Sequence, residues 1–354
     1  METVIARAGW IFLQTVFAVK YGSRLLPYPL LWAIATPLVM IAGFALADRS
    51  KKANLSRQDI AVYATLSLAL ALVVIWKVDP ETLQVDRWSV VDSFWRATGS
   101  GNYPYHARSH LNNPPGPLPG YFGVLWPFWK FNALAVFSVL GGILGLMRNP
   151  FRATLWAVSS SLFLLWEFIT QSNLFTFTLL ILMYLSYIYK NTSNFTLLRG
   201  LGIGILGGIL LNTRSIMILA YIVYLPFLWN LHRMRLLPIL TGILMGFIAP
   251  LLLLYLSFPT EFTTSPPWDT QTTELLPPIY GLVFMGLAFA AGFAPLKALG
   301  PSTRTGLTYF IAMLIYTLHH AVQNGWNQVI WEGGVDWSYF IFATAFFIPS
   351  IKKR

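Results

Sequence analysis

No cysteine occurs among the 354 residues, which excludes a disulfide framework, a haem-attachment motif and any thiolate metal site. Charge is also scarce. Asp, Glu, Lys and Arg make up 10% of the chain, against about 25% in soluble domains. With 56% hydrophobic residues in repeated apolar runs, a soluble fold is excluded. Acids are the scarcer charge: 13 Asp and Glu against 24 Lys and Arg give a formal net charge of +11. Among apolar runs that excess reads as topogenic Lys and Arg in cytoplasmic loops, and no nucleic-acid partner is expected. Gly-rich phosphate loops, GxSxG and HExxH are missing as well. No soluble nucleotide-binding domain accompanies the apolar runs, so a cytoplasmic nucleotide-sugar donor is not expected. Glu2 spoils a basic leader region and no small-residue cleavage site follows Val19, so no cleavable signal is expected.

What is present is a series of apolar segments near 30–47, 60–77, 120–147, 153–169, 174–189, 200–213, 215–230, 236–256, 278–294, 305–321 and 337–350. About 20 apolar residues cross the hydrocarbon as a helix, and lipid demands helices because it offers backbone amides no partners. The sequence therefore predicts an all-α polytopic membrane protein: one transmembrane domain over 1–354, a helix bundle of about 11–12 spans. The 200–213 segment is short and Gly-rich, so it is either tightly packed or partly re-entrant. Residues 1–29 read two ways, with Trp10–Val19 as an amphipathic interfacial helix or as a short extra span; Lys20 and Arg24 suit neither side. No internal repeat is visible, which disfavours the repeated architecture of secondary transporters.

The charges sort by segment. The breaks at 48–59, 148–152, 190–199, 232–235, 295–304 and 351–354 hold Arg49, Lys51, Lys52, Arg57, Arg148, Arg152, Lys190, Arg199, Arg233, Arg235, Lys297, Arg304, Lys352, Lys353 and Arg354. The positive-inside rule puts them in the cytoplasm. The alternate breaks hold only Lys77, Arg87, Arg96, Arg108, Lys130 and Arg214, and most acids, Glu274 among them, fall with these. Acids contribute little to topology, so their bias points to a functional site on the face away from the cytoplasm. The sequons at Asn54, Asn191 and Asn194 fall in cytoplasmic loops and would be unmodified there. The expected location is a bacterial inner membrane with the site facing the periplasm.

The longest polar segment is 78–119. A loop of that length is functional or disordered, and Trp88, Phe94, Trp95, Tyr103 and Tyr105 argue against disorder. Trp88–Arg96 can form a short amphipathic helix on the membrane, ended by Gly99 and Gly101. Pro104, Pro114, Pro115, Pro117 and Pro119 then stiffen the return. The competing reading is a packed surface loop with incidental charges.

Asp86 in VDRW, GNYPY at 101–105 and NPPGPLPGYF at 113–122, together with the hydropathy pattern, resemble the GT-C glycosyltransferase superfamily. The resemblance implies a GT-C-like bundle with a large outer first loop. It also implies an inverting, mannosyltransferase-like enzyme that takes a polyprenyl-phosphate sugar and acts on a lipid, glycan or protein acceptor among membrane lipids. In that reading Asp86 is the loop acid, catalytic or metal-binding, and Tyr105 belongs to the substrate-binding stretch.

Chemistry gives the same candidates a role. An inverting transfer needs a base at the acceptor hydroxyl and a holder for the leaving phosphate; a carboxylate can be the base or can bind a divalent cation such as Mg or Mn. Asp86 is the candidate base and Asp92 the fallback. Arg87, Arg108 and Arg214 are candidates for the phosphate, because the guanidinium fork matches phosphate oxygens. Arg214, between two apolar spans, has headgroup snorkelling as its alternative. His106 and His110 flank Arg108 and could touch the sugar, the phosphate or a metal; Asn112-Asn113-Pro114 makes metal ligation on a helix a weak reading. Glu167 near hydrocarbon wants a partner, either sugar hydroxyls or Arg214, with helix-packing glue as the alternative. His319, His320, Gln323, Asn324, Trp326, Asn327, Trp331 and Glu332 form an amide-rich aromatic stretch, which an interfacial Trp belt explains equally well. Two rival functions stay open: a transporter or flippase of lipid-linked sugars, and an envelope-glycan ligase or polymerase using lipid diphosphates.

Overall fold

The computed structural model describes all residues except 25, 51–53, 192–194, 232, 270–276, 297, 333–334 and 353–354, together with the side chains of 230–234. Lys51, Lys52, Asn194, Glu274, Lys297, Lys353 and Arg354, used above to sort charges and sequons, lie outside the described residues, as does the side chain of Arg233. The described residues form helices and turns, with one isolated bridge between Asn54 and Phe151.

In chain order the helices are α1 (Glu2–Phe17), α2 (Pro29–Arg49), α3 (Arg57–Lys77), α4 (Arg87–Gly99), α5 (Pro119–Lys130), α6 (Leu134–Arg148), α7 (Arg152–Ser159), α8 (Leu162–Ile169) and α9 (Leu174–Asn191). They continue with α10 (Leu197–Leu211), α11 (Ile218–Leu231), α12 (Arg233–Ser257), α13 (Pro259–Thr264), α14 (Ile279–Phe293), α15 (Pro301–Asn324), α16 (Trp326–Ile330) and α17 (Ile341–Phe347). Among the described residues five helical segments are long and apolar enough to cross a membrane: 2–22, 29–49, 57–77, 174–191 and 235–257. Four shorter apolar helices accompany them, at 197–211, 215–229, 279–293 and 337–350. This is an all-helical bundle with the composition of an integral membrane protein, and it has fewer full-length spans than the apolar runs suggest.

Two of those runs are broken. Residues 120–147 read as one span, but α5 and α6 meet at 112°. Asn132, at φ +50, makes the corner; Asn is among the few residues that tolerate the left-handed region. Residues 153–169 also read as one span, but the helix stops between Ser160 and Ser161. Ser161 caps α8 through the Leu164 amide. Buried Gln14 of α1 closes the gap: its amide nitrogen donates to Ser161 Oγ (3.0 Å) and its oxygen accepts from the Leu162 amide (2.9 Å). Unmet amides at such a break would be expensive in lipid.

Of the two readings of residues 1–29, the first helix has the length and apolar composition of a span. Ala6, Trp10, Leu13 and Phe17 follow helical spacing and are all buried, the pattern of one face seated in a core. The helix runs on into a π turn at Ala18–Gly22, a local irregularity frequent at functional sites. At the centre α17 is buried along its length and α9 along most of it. Phe347 of α17 fills the gap between Gly9 of α1 and Gly306 of α15, where a methyl group would come within 2.8 Å of its ring. α10 and α12 touch backbone to backbone at Gly204, Gly208, Gly242 and Gly246, where any side chain would overlap the facing carbonyls. The short Gly-rich segment is therefore tightly packed.

The 78–119 segment is ordered and folded on itself. α4 occupies the stretch expected to be helical and is followed by Gly101 at φ +75. Phe94 stacks on Phe122 of α5 at 3.6 Å between ring centroids, and Trp95 stacks on Trp129. This segment follows α3, and the α1–α2 turn, bearing Arg24, shares its end of the bundle. The expectation of a large first loop on that end is therefore corrected: the short α1–α2 turn comes first.

Candidate functional site

A cavity of about 1130 Å³ lies at the end of the bundle that carries the long loop. Its walls come from the end of α1 and the start of α2, the loop around 83–90 and 111–117, α8, Arg214, Trp331, Val335, Asp336 and Tyr339. Asp86, Arg87 and Arg214 of the expected residues meet there, joined by Arg24 and Asp336.

Asp86 precedes α4 but its side chain does not cap the helix. Its Oδ2 instead accepts from Ser109 Oγ (2.7 Å) and Asn113 Nδ2 (2.8 Å). Oδ1 has no hydrogen-bond partner among the described residues. A carboxylate steered by neutral donors with one oxygen left over can accept a proton.

Arg87 is buried and its guanidinium is spoken for. Nη1 donates to Ser172 Oγ (3.0 Å); Nη2 donates to Asp336 Oδ2 (2.8 Å) and Ser338 Oγ (2.6 Å). The rings of Trp166 and Tyr339 lie at 5.1 and 5.3 Å. Burial alone would lower its pKa, but Asp336, then Tyr339 and Glu167, outweigh burial and hold it above its ordinary value. Asp336 mirrors this: crowding opposes its charge, but Arg87, the Ser338 hydroxyl and amide and the Tyr21 hydroxyl hold it below the usual carboxylate range. The expectation that Arg87 takes a substrate phosphate is therefore replaced. It is a clasp joining α4, the α8–α9 turn and the 336–338 segment.

Glu167 stands behind that clasp. It is fully buried; Oε1 accepts from Ser172 Oγ (3.0 Å) and the Leu174 amide (2.8 Å), and Oε2 from the Phe175 amide (3.0 Å). It caps the start of α9, where a negative group also suits the helix dipole. Arg214 is not among its partners, and it does not line the cavity.

Arg214 differs from Arg87. Its turn is pinned by buried Asn212, whose Oδ1 accepts from the Gly120 amide (2.7 Å) and whose Nδ2 donates to the Phe247 carbonyl (2.7 Å). Residue 120 must be glycine, because a methyl group there would sit 2.7 Å from the Asn212 carbonyl. The Arg214 guanidinium then lies over Tyr121 (5.4 Å) and Tyr339 (6.0 Å). Its buried Nε has no hydrogen-bond partner, and among the described residues no carboxylate pairs with it. Arg24 on the α1–α2 turn likewise has a ring contact, Tyr21 at 5.1 Å, and no ion pair among the described residues.

The remaining candidates are elsewhere. Tyr105 is buried and donates to the Pro117 carbonyl (2.8 Å), which makes it a strut of the loop. His110 is held at both ring nitrogens, by Ser89 Oγ (2.6 Å) and the Leu83 carbonyl (2.9 Å). Arg108 is exposed and outside the cavity. His106 is exposed and, with Glu261, lines a separate, smaller groove of about 420 Å³. The proximity of 105–110 in sequence does not become a cluster in space. Asp92 bonds Trp129 Nε1 (3.0 Å) and Arg96 (2.7 Å), away from the cavity. Of the 319–332 stretch, Trp331 reaches the cavity, while His319 Nδ1 meets Tyr280 Oη at 2.7 Å. Among the described residues no three His, Asp or Glu side chains are grouped to hold a metal ion.

Lys20, Tyr21, Arg24 and Asp336 carry weight that the sequence reading did not give them. Buried Lys20 donates to the Val329 (2.5 Å) and Val335 (2.6 Å) carbonyls, and Tyr21 Oη donates to Asp336 Oδ1 (2.8 Å). One signal was available: an ionisable residue inside an apolar helix marks a functional region by default. Compared with known proteins, the chain matches no family model, no curated protein and no solved structure.

Proposed function

We propose that the chain is a GT-C-like membrane glycosyltransferase. It moves a sugar from a polyprenyl phosphate to a lipid, glycan or protein acceptor, with inversion, on the extracytoplasmic face of a bacterial inner membrane. The observation that carries the proposal is one cavity holding a carboxylate and a guanidinium, Asp86 and Arg214; among the described residues one Asp86 oxygen is unengaged and Arg214 faces no anion.

In this reading the acceptor hydroxyl gives its proton to Asp86 Oδ1 as its oxygen attacks the anomeric carbon. The bond from that carbon to the phosphate oxygen breaks, and the polyprenyl phosphate leaves with the electron pair. Arg214 lies where it can hold that phosphate through charge-assisted hydrogen bonds. Ser109 and Asn113 fix the carboxylate so that Oδ1 faces the acceptor.

The test is Asp86→Asn, assayed with purified protein and a panel of radiolabelled polyprenyl-phosphate sugars. Transfer should fall by about a hundredfold or more, the scale of a lost general base, with thermal stability and donor binding retained. Undiminished transfer in that variant would remove the proposed base.

A further inference from the structure

We infer that His110 is a positioning residue for Asp86: it fastens the Ser109–Asn113 turn across the backbone that carries Asp86, and so sets where Oδ1 points. The inference rests on the proposed reading of Asp86 as the base, and it adds which side chain outside the cavity keeps that base aimed.

Residues 109–113 close on themselves. The Ser109 amide donates to the Asn113 carbonyl (3.0 Å), the Asn112 amide to the Ser109 carbonyl (2.9 Å) and the Asn113 amide to Ser109 Oγ (3.1 Å). Asn112 takes φ +63 there, in a region that Asn tolerates better than most residues. Both ends of the turn reach one atom, since Ser109 Oγ and Asn113 Nδ2 each donate to Asp86 Oδ2. These donors lie 23 and 27 positions along the chain from Asp86. The carboxylate is therefore aimed only as well as the turn is docked.

His110, inside that turn, does the docking. Its ring reaches both sides of Asp86: Leu83 precedes the acid by three positions and Ser89 follows it by three. A carbonyl only accepts, so Nε2 carries the proton given to Leu83 (2.9 Å), and in the neutral ring Nδ1 accepts from Ser89 Oγ (2.6 Å). The His110 amide adds a third tie, to the same Ser89 Oγ at 3.3 Å. Ser89 Oγ also lies 3.0 Å from the Asp86 carbonyl, so the hydroxyl sits at the root of the acid as well. Leu83, Asp86 and Asn113 line the cavity and His110 does not. It therefore acts through Ser109 and Asn113, behind the wall. Alanine at 110 removes both ring ties. Glutamine keeps a donor for Leu83, and asparagine keeps an acceptor for Ser89.

Full-length wild type, His110→Ala, His110→Gln and His110→Asn are assayed with the radiolabelled polyprenyl-phosphate sugars, each with and without Asp86→Asn. Since a small misplacement of a reacting group can cost about a hundredfold, His110→Ala should lower kcat at least about tenfold and leave the donor KM within about twofold. The Gln and Asn variants, with one tie kept, should fall between it and wild type, and they decide alone if the Ala variant does not fold. In the Asp86→Asn background the same substitutions should cost nothing further, because residues that act as one unit do not add. A second readout needs no turnover: a water-soluble carbodiimide with an amine labels carboxyl groups, and mass spectrometry reads each site. With its two donors loosened, Asp86 should label at least about threefold faster in His110→Ala, while Asp92, held by Trp129 and Arg96, labels as in wild type. Unchanged Asp86 labelling in all three variants would overturn the inference and leave Asp86 as the base. So would a KM rise with kcat intact, or an equal further fall in the Asp86→Asn background. Full transfer by Asp86→Asn, or no transfer by wild type from any donor, would overturn the proposed function, and the role of His110 with it.

Discussion

Arg87 and Arg214 line the same cavity in opposite conditions. Around Arg87, a carboxylate, two hydroxyls and two aromatic rings answer the guanidinium, and a second buried acid lies behind it. Around Arg214 the partners found among the described residues are rings. The acids divide the same way. Asp336 accepts from Arg87, Tyr21 and the Ser338 amide, whereas Asp86 keeps one oxygen unengaged. Residue type and cavity are shared, so saturation is what separates a fastener from a group ready for a ligand. A buried charge with every donor met holds elements together; one with donors unmet carries a desolvation cost that a bound anion would relieve.

The comparison can be broken most directly at Arg87. Arg87→Met strips the partner from Asp336 and the ring-stacked cation from α4. Loss of one member of a buried pair costs about 3–5 kcal/mol. Asp336 keeps 39% of its side chain accessible, which favours the lower end, about 3 kcal/mol. Thermal unfolding in detergent should show a clear drop, and an unchanged midpoint would mean that the clasp holds nothing.

A second, smaller effect follows from pH. Asp336 is held below the ordinary carboxylate range by Arg87 and its hydrogen bonds, so its contribution is fully present above that range. It is lost as pH falls through the depressed value. Wild-type protein should therefore lose stability on acidification more steeply than Asp336→Asn, whose midpoint is lower at neutral pH but flatter. Parallel curves for the two proteins would contradict the ion pair.

Arg214→Gln should leave stability within about 0.5 kcal/mol, because among the described residues it loses ring contacts but no ion pair. It should weaken geranylgeranyl phosphate binding about tenfold, or 1.4 kcal/mol. A large stability loss with unchanged binding would place Arg214 with Arg87. The smallest effects belong to Arg108→Ala and His106→Ala, both exposed and outside the cavity. Each should change stability by less than about 0.5 kcal/mol and leave binding of the same lipid unaltered.

What could be read from the chain follows how local each signal is. α2, α3 and α12 announce themselves as unbroken apolar runs, and α4 by its periodicity and closing glycines. The break between α7 and α8 is invisible in the run itself. Two serines are unremarkable there, and the group that makes the gap tolerable, Gln14, is 147 positions away. The same distance problem explains the site. Asp86, singled out by the family resemblance, and Arg87 and Arg214, singled out by the match of a guanidinium to phosphate, do meet in one cavity. His106, Arg108 and His110 stand out as neighbours in sequence and Tyr105 by the resemblance, and a 3₁₀ turn at Pro104–His106 followed by extended backbone sends them to different surroundings. Arg24 and Asp336 come from distant parts of the chain, and nothing local in either segment indicates that they line one cavity.

Lys20 ties the first helix to a distant part of the chain. Its ammonium, sunk at the end of the first helix, is satisfied by carbonyls 309 and 315 positions later. Without Val329 and Val335 those acceptors are missing, and a buried ammonium left unanswered is costly. The seat of the first helix therefore depends on two carbonyls more than 300 positions away along the chain.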